Sequence, residues 1–203
     1  FDQRWEALMK AYPEWATWVG DERYGDRLRD ASREANAARD AATQRTLEQA
    51  LAIRRAALSP KDRVSLDVFV YSLRDDLRYL PFTGYRSRSL GALEGFQSEF
   101  ASLLQGSPVA RSRQAEQILA RMAAYPKRVD QELALLREGI TLGWVPARTV
   151  LERVLQQIDA QLGADIDPSP FFAPFTRLGS EIPAARQDEL RQLARLAIRT
   201  HVL

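Results

Sequence analysis

The sequence predicts an all-α fold: a multi-helix bundle of about eight helices, with a long Gly-containing loop and a connector rich in proline and aromatic residues. Three observations predict it. Apolar residues recur at spacings of three and four, alternating strand patterns are nearly absent, and serine, proline and glycine stand where helices would start and stop.

The first helix covers residues 1–12 and carries Trp5, Leu8 and Tyr12 on one face. Pro13 suits the first turn of a second, short helix, in which Trp15, Trp18 and Val19 are the apolar residues and Gly20 is the stop. Residues 21–30 read as a polar loop in which acids and arginines alternate tightly. Ser32 is an N-cap for a helix reaching about Leu58, with Leu47, Leu51 and Leu58 facing inward. Ser59, Pro60 and Asp62 mark the next start, and Leu66, Val70, Leu73, Leu77 and Leu80 form its packing stripe.

Residues 81–95 have no helical period and contain Gly84, Gly91 and Gly95; a loop of this length is often functional. Helices follow over 96–105 and 112–125, and Pro126 restarts or kinks the chain. Val129, Leu133, Leu136 and Ile140 make the next stripe. After the turn at residues 143–146, Val150, Val154, Ile158 and Leu162 make another. The connector at 165–175, DIDPSPFFAPF, is too apolar to stay in water and is expected to dock on this chain or a neighbour. A last helix starts near Pro183 and runs to the final residues.

At 203 residues the chain can bury a real core as a single helical domain, and its 45% hydrophobic and 28% charged residues are globular in balance. The net charge of +2 comes from 29 basic and 27 acidic residues, interleaved along helices. That pattern argues against a nucleic-acid partner, which needs clustered basic residues. No apolar run is long enough for a membrane span.

Self-sufficient catalysis finds little support. There is no cysteine and only one histidine, His201, on the last helical stripe, so neither a zinc ligand set nor a nucleophile–base pair is visible. Asp75 and Asp76 are adjacent on a helix and point about 100° apart, so they do not converge. Asp165 and Asp167 read as connector turn residues. The glycines at 91 and 95 lack the lysine and hydroxyl ending of a phosphate loop. We therefore expect no catalytic, cofactor-binding or metal residue in this segment. Tyr85, Arg86 and Arg88 remain as candidate cleft or ligand contacts, because guanidinium matches carboxylate geometry; the alternative is a solvated loop. The aromatic residues Trp15, Trp18, Trp144, Phe171, Phe172 and Phe175 read as core or inter-helix packing rather than a pocket.

Several segments, in order, carry a resemblance: PEWATWVGDERYGDRL at 13–28, LSPKDRVSLDVF at 58–69, LALLREGITLGWVPARTVLERVLQQID at 133–159 and SPFFAPF at 169–175. Together they resemble the N-terminal portion of the bacterial domain-of-unknown-function family eight-eight-five, whose members are predicted zinc metallopeptidases of the gluzincin type. The resemblance implies a helical enzyme in which an HExxH helix and a downstream glutamate bind zinc. It places that helix beyond residue 203, so no zinc ligand is carried onto this sequence.

Two functional expectations result. In the first, the segment is the non-catalytic N-terminal part of such a peptidase and forms a wall or lid of its substrate cleft, with residues 81–95 at the rim. Its partners would be the C-terminal remainder of the chain and a peptide substrate, and zinc would belong to the full-length protein. In the second, it is a stand-alone helical binding module of the cell envelope. The start at Phe1 and the terminal helix lead us to expect a trimmed chain, and a removed export signal would account for the first.

Overall fold

The computed structural model describes residues 1–82, 84–163 and 165–203. Among them are nine α-helices and no strand: α1 Asp2–Ala11, α2 Pro13–Trp18, α3 Arg33–Leu51, α4 Pro60–Leu77, α5 Phe96–Gly106, α6 Ser112–Leu142, α7 Arg148–Leu162, α8 Ala173–Thr176 and α9 Ala184–His201. The all-α expectation holds, with two changes in the helix inventory. The segments on either side of Pro126 form one continuous helix, α6, and the connector contains the short α8. Thr83, part of the predicted loop at 81–95, lies outside the described residues.

The predicted start and stop chemistry operates where side chains satisfy free backbone groups. Ser32 Oγ accepts the Ala35 N–H at 3.2 Å, and Ser59 Oγ accepts the Asp62 N–H at 3.2 Å. Gly20 adopts φ +86° and closes α2: its N–H reaches the Thr17 carbonyl at 3.1 Å, and the Asp21 N–H reaches the Ala16 carbonyl at 2.8 Å. Gly143, at φ +73°, ends α6 in the same left-handed conformation. The helix from Ser32 stops at Leu51 rather than Leu58. A 3-10 turn over Arg55–Ala57 intervenes, leaving Leu51 exposed and Leu58 half-buried against the neighbouring core.

Two cores hold these elements. The larger joins α5, α6, α8 and α9 through Leu104, Ile118, Met122, Leu190 and Ile198. Phe171, Phe172 and Phe175 of the connector are buried in it, so that apolar segment docks on its own chain. The smaller core lies between α3 and α4 and comprises Leu47, Ala50, Leu66 and Leu73, with Val70 and Leu77 packed at its edge.

The tryptophans of α2 do not enter either core. Trp18 is 69% exposed and Trp15 is also exposed, while Pro13 and Ala16 are the buried residues of that helix. A six-residue helix buries one narrow face, and here the small residues occupy it. Similarly, α1 buries Met9 in place of Trp5, which remains exposed and packs edge-on against Trp15 at 5.3 Å. Along α7 only Val154 of the predicted stripe is buried, and Leu162 is exposed.

The face of α6 departs furthest from expectation. Leu133 is 37% exposed and Ile140 68%, whereas Arg121, Arg128, Glu132, Leu135 and Gly139 turn inward. These inward positions follow helical spacing, but three of them are charged. Arg121, 1% exposed, donates to the carbonyls of Arg27 at 2.9 Å and Pro13 at 3.1 Å and to the Thr17 hydroxyl at 2.6 Å. It fastens the segment 13–28 to α6 by donating to the Arg27 carbonyl and by sharing the Pro13 carbonyl with the Thr17 hydroxyl.

Candidate functional site

An open cleft of about 1210 Å³ lies between α1, α3 and α4 on one side and α5 and α6 on the other, with the loop at 81–95 along its rim. It is larger than most small-molecule pockets. Its chemistry is set by arginines and carboxylates among aromatic rings: Tyr12, Trp15, Tyr79, Phe82 and Tyr85 all line it.

The rim loop is held in place by close packing. Gly139 on α6 leaves room for the loop, since a Cβ there would meet the Ser87 side chain at 2.6 Å and the Trp144 carbonyl at 2.8 Å. Gly84 lies flat against the Trp144 ring, and any Cβ would overlap it. The far half of the loop is tied down by amides. Gln97 Nε2 donates to the Gly91 carbonyl at 2.8 Å, and Gln157 Nε2, from α7, donates to the Ala92 carbonyl at 2.9 Å.

The three sequence-predicted contacts, Tyr85, Arg86 and Arg88, all reach this cleft, but their surroundings differ. Tyr85 stacks on Tyr79, with centroids 4.6 Å apart and planes at 11°. Arg86 forms a two-pronged pair with Asp40 on α3, at 2.7 and 2.9 Å. That pair joins the loop to α3 and occupies the guanidinium fork. Arg88 is exposed on the cleft side and makes no ion pair among the described residues. The adjacent carboxylates diverge as expected: Asp76 pairs with Arg4 at 3.3 Å and Asp75 with Arg78 at 2.9 Å.

Sequence reasoning missed the polar floor. Glu132, 2% exposed, accepts from both Nε and Nη2 of Arg128, the former at 3.0 Å. Arg29 approaches the same carboxylate at 3.8 Å, and Arg128 Nη1 donates to the Arg29 carbonyl at 3.3 Å. Beside them stands Arg39 on α3, whose Nη2 donates to Asn36 Oδ1 at 2.6 Å. Asn36 is itself fixed by donating Nδ2 to the Ala31 carbonyl at 3.0 Å. The guanidiniums of Arg29 and Arg39 both lie over the Tyr12 ring, at 6.0 and 5.6 Å from its centroid. Burial, with the charges of Arg29 and Arg86 nearby, pulls the Arg39 pKa below the ordinary arginine value. The i,i+4 spacing of Arg128 and Glu132 was a readable sign of pairing, but not of burial.

This arrangement concentrates charged side chains, and its donor set does not suit a transition metal. Among the described residues no group of three His, Cys, Asp or Glu could hold a metal ion, and His201 lies near the end of α9. Zinc, which the family resemblance implied, therefore finds no ligand set in the described residues. No helix among them is long and apolar enough to cross a membrane.

No curated protein matches the chain. A family model described as "Bacterial protein of unknown function (DUF885)" matches residues 13–203, which include α2 through α9 and nearly every residue lining the cleft. The chain thus belongs to the DUF885 family of bacterial proteins.

Proposed function

We propose that this helical segment is the non-catalytic N-terminal part of a zinc-dependent peptidase and forms one wall of its substrate cleft. The observation that carries the reading is the open cleft of about 1210 Å³, whose rim is the irregular loop at 81–95. A substrate wall needs a large concave surface with a few fixed polar groups, and rigid elements to hold them. The cleft has both. Because Gly139, Gly84 and Trp144 pin the loop, it serves as a rim rather than a hinged lid.

Zinc and the hydrolytic step belong, on this reading, to a part of the protein outside residues 1–203, since the described residues offer no ligand set that fits the metal. The peptidase assignment and export to the cell envelope rest on the family resemblance. The alternative of an envelope interaction module drew on the apolar connector, and that segment is buried in the chain's own core.

The test compares the 203-residue chain with the longer product of its gene. The chain alone should bind no stoichiometric zinc and cleave no peptide, whereas a product extended through an HExxH helix should do both. Zinc-dependent cleavage by residues 1–203, or an extended product that contains no such helix, would overturn the proposal.

A further inference from the structure

Most arginines of the cleft already have a carboxylate. Arg4 has Asp76, Arg86 has Asp40, and Arg128 has Glu132. Arg39 has none among the described residues. Its only hydrogen-bond acceptor among them is the Asn36 side-chain oxygen, so most of its N–H groups remain available. Yet it is not a loose surface arginine. It is half-buried, aimed by Asn36, and lies over Tyr12 next to a second cation, Arg29. Holding a guanidinium this way is costly unless an anion relieves it, since burial and neighbouring positive charge both disfavour the charged form.

We infer that Arg39, flanked by Arg29 and seated over Tyr12, is a carboxylate-binding subsite of the cleft, and that the ligand is a peptide bearing a free carboxylate. This rests on the reading of the cleft as a substrate wall and adds the substrate's charge to it. The chemistry is that of a planar fork donating two N–H bonds to carboxylate oxygens, with the Tyr12 ring beneath the guanidinium. Arg88, exposed on the rim, adds positive charge at the entrance. Glu99 on α5 is the one cleft carboxylate without an ion pair among the described residues, and it favours a ligand whose charge is confined to one end. The carboxylate has two sources in a peptide, the C-terminus or an acidic side chain.

Three probes separate these. The chain is titrated with Ac-Ala-Ala-Ala-OH, with Ac-Ala-Ala-Glu-NH2 and with Ac-Ala-Ala-Ala-NH2, and binding is followed through the Nε–Hε resonance of Arg39 by NMR. At least one carboxylate peptide should bind about tenfold tighter than the neutral peptide and shift that resonance. The peptide that wins identifies the terminus or the side chain as the source. Arg39→Gln should abolish the preference and Arg39→Lys should retain part of it, with the helical circular-dichroism signal of each variant checked against the parent. If all three peptides bind alike, or carboxylate binding leaves the Arg39 resonance unmoved, the subsite is refuted and the cleft reading survives. If none of the three binds, both fall.

Discussion

Arg121 and Thr17 meet at 2.6 Å, guanidinium to hydroxyl, although 104 residues separate them along the chain. The contact is one of several by which a fully buried arginine holds the α2 segment without any carboxylate. Burial pushes its pKa down to about 10, against the opposing pull of the Glu14 and Asp26 charges, so it remains charged near neutrality although its hydrogen bonds among the described residues go to carbonyls and a hydroxyl. Replacing it by methionine takes the donor from the buried Arg27 carbonyl and removes one of the two side-chain donors to the Pro13 carbonyl, the Thr17 hydroxyl being the other. Arg121→Met should therefore lower stability by about 2–4 kcal/mol. Urea unfolding measures the loss, and limited proteolysis should find new cleavage within residues 19–30. Unchanged stability would mean the carbonyls find other partners.

The Arg128–Glu132 pair makes a different prediction, because both members are charged and both are buried. Glu132→Gln leaves Arg128 without its principal counter-ion and should cost about 3–5 kcal/mol. The double variant Arg128→Met, Glu132→Gln should regain part of that loss, because the buried Arg128 charge is gone, while Arg29 and Glu14, which also approach the pair, keep partial access to solvent. A double-mutant cycle in urea decides it; additive losses would show that the two side chains do not act as a pair.

Tyr125 stacks on Phe100, with centroids 3.9 Å apart, and burial raises its hydroxyl pKa from 10.0 to about 12. The folded chain thus keeps a proton that the unfolded chain releases. Stability from this group is intact below pH 10 and falls as pH climbs from 10 towards 12. A tyrosinate absorbance titration should show a step near pH 12, and Tyr125→Phe should remove it.

Gly139→Ala tests the pinned rim. The added methyl would press on Ser87 and the Trp144 carbonyl, so the loop must lift away from α6. We expect a loss of about 1–3 kcal/mol and faster proteolysis within residues 81–95. Gly106→Ala is the control, because a Cβ at that position meets nothing within 4 Å. Equal proteolysis of the two variants would show that the rim is not held at Gly139.

Much of the fold was legible because its signals are local. Ser32, Ser59, Pro13, Gly20 and Gly143 act on backbone groups within a turn of themselves, so their roles follow from their chemistry. The facing of α6 was not legible. Leu133 and Ile140 at helical spacing read as core, yet the helix is rotated so that the charged Arg128 and Glu132 face inward. Only the segments packed against α6 decide that rotation, and they come from more than ninety residues away, as Arg27 and Arg29 do. Tyr85, Arg86 and Arg88 were picked from the right loop, but Arg39 looked like any other arginine of an arginine-rich helix. Its distinction lies in what does not pair with it.

The unequal cores give the cleft unequal banks. The side carrying Phe96, Glu99 and Arg128 stands on a core of fifteen buried residues, while α3 and α4 share four between them. Local stability follows buried apolar contact. The bank that bears Arg39 is therefore the compliant one, and a ligand gripping both sides would be felt first as reduced breathing of the α3–α4 hairpin. The cleft is built like a vice with one fixed jaw and one yielding jaw, so on the proposed reading its width would follow a ligand without disturbing the main core.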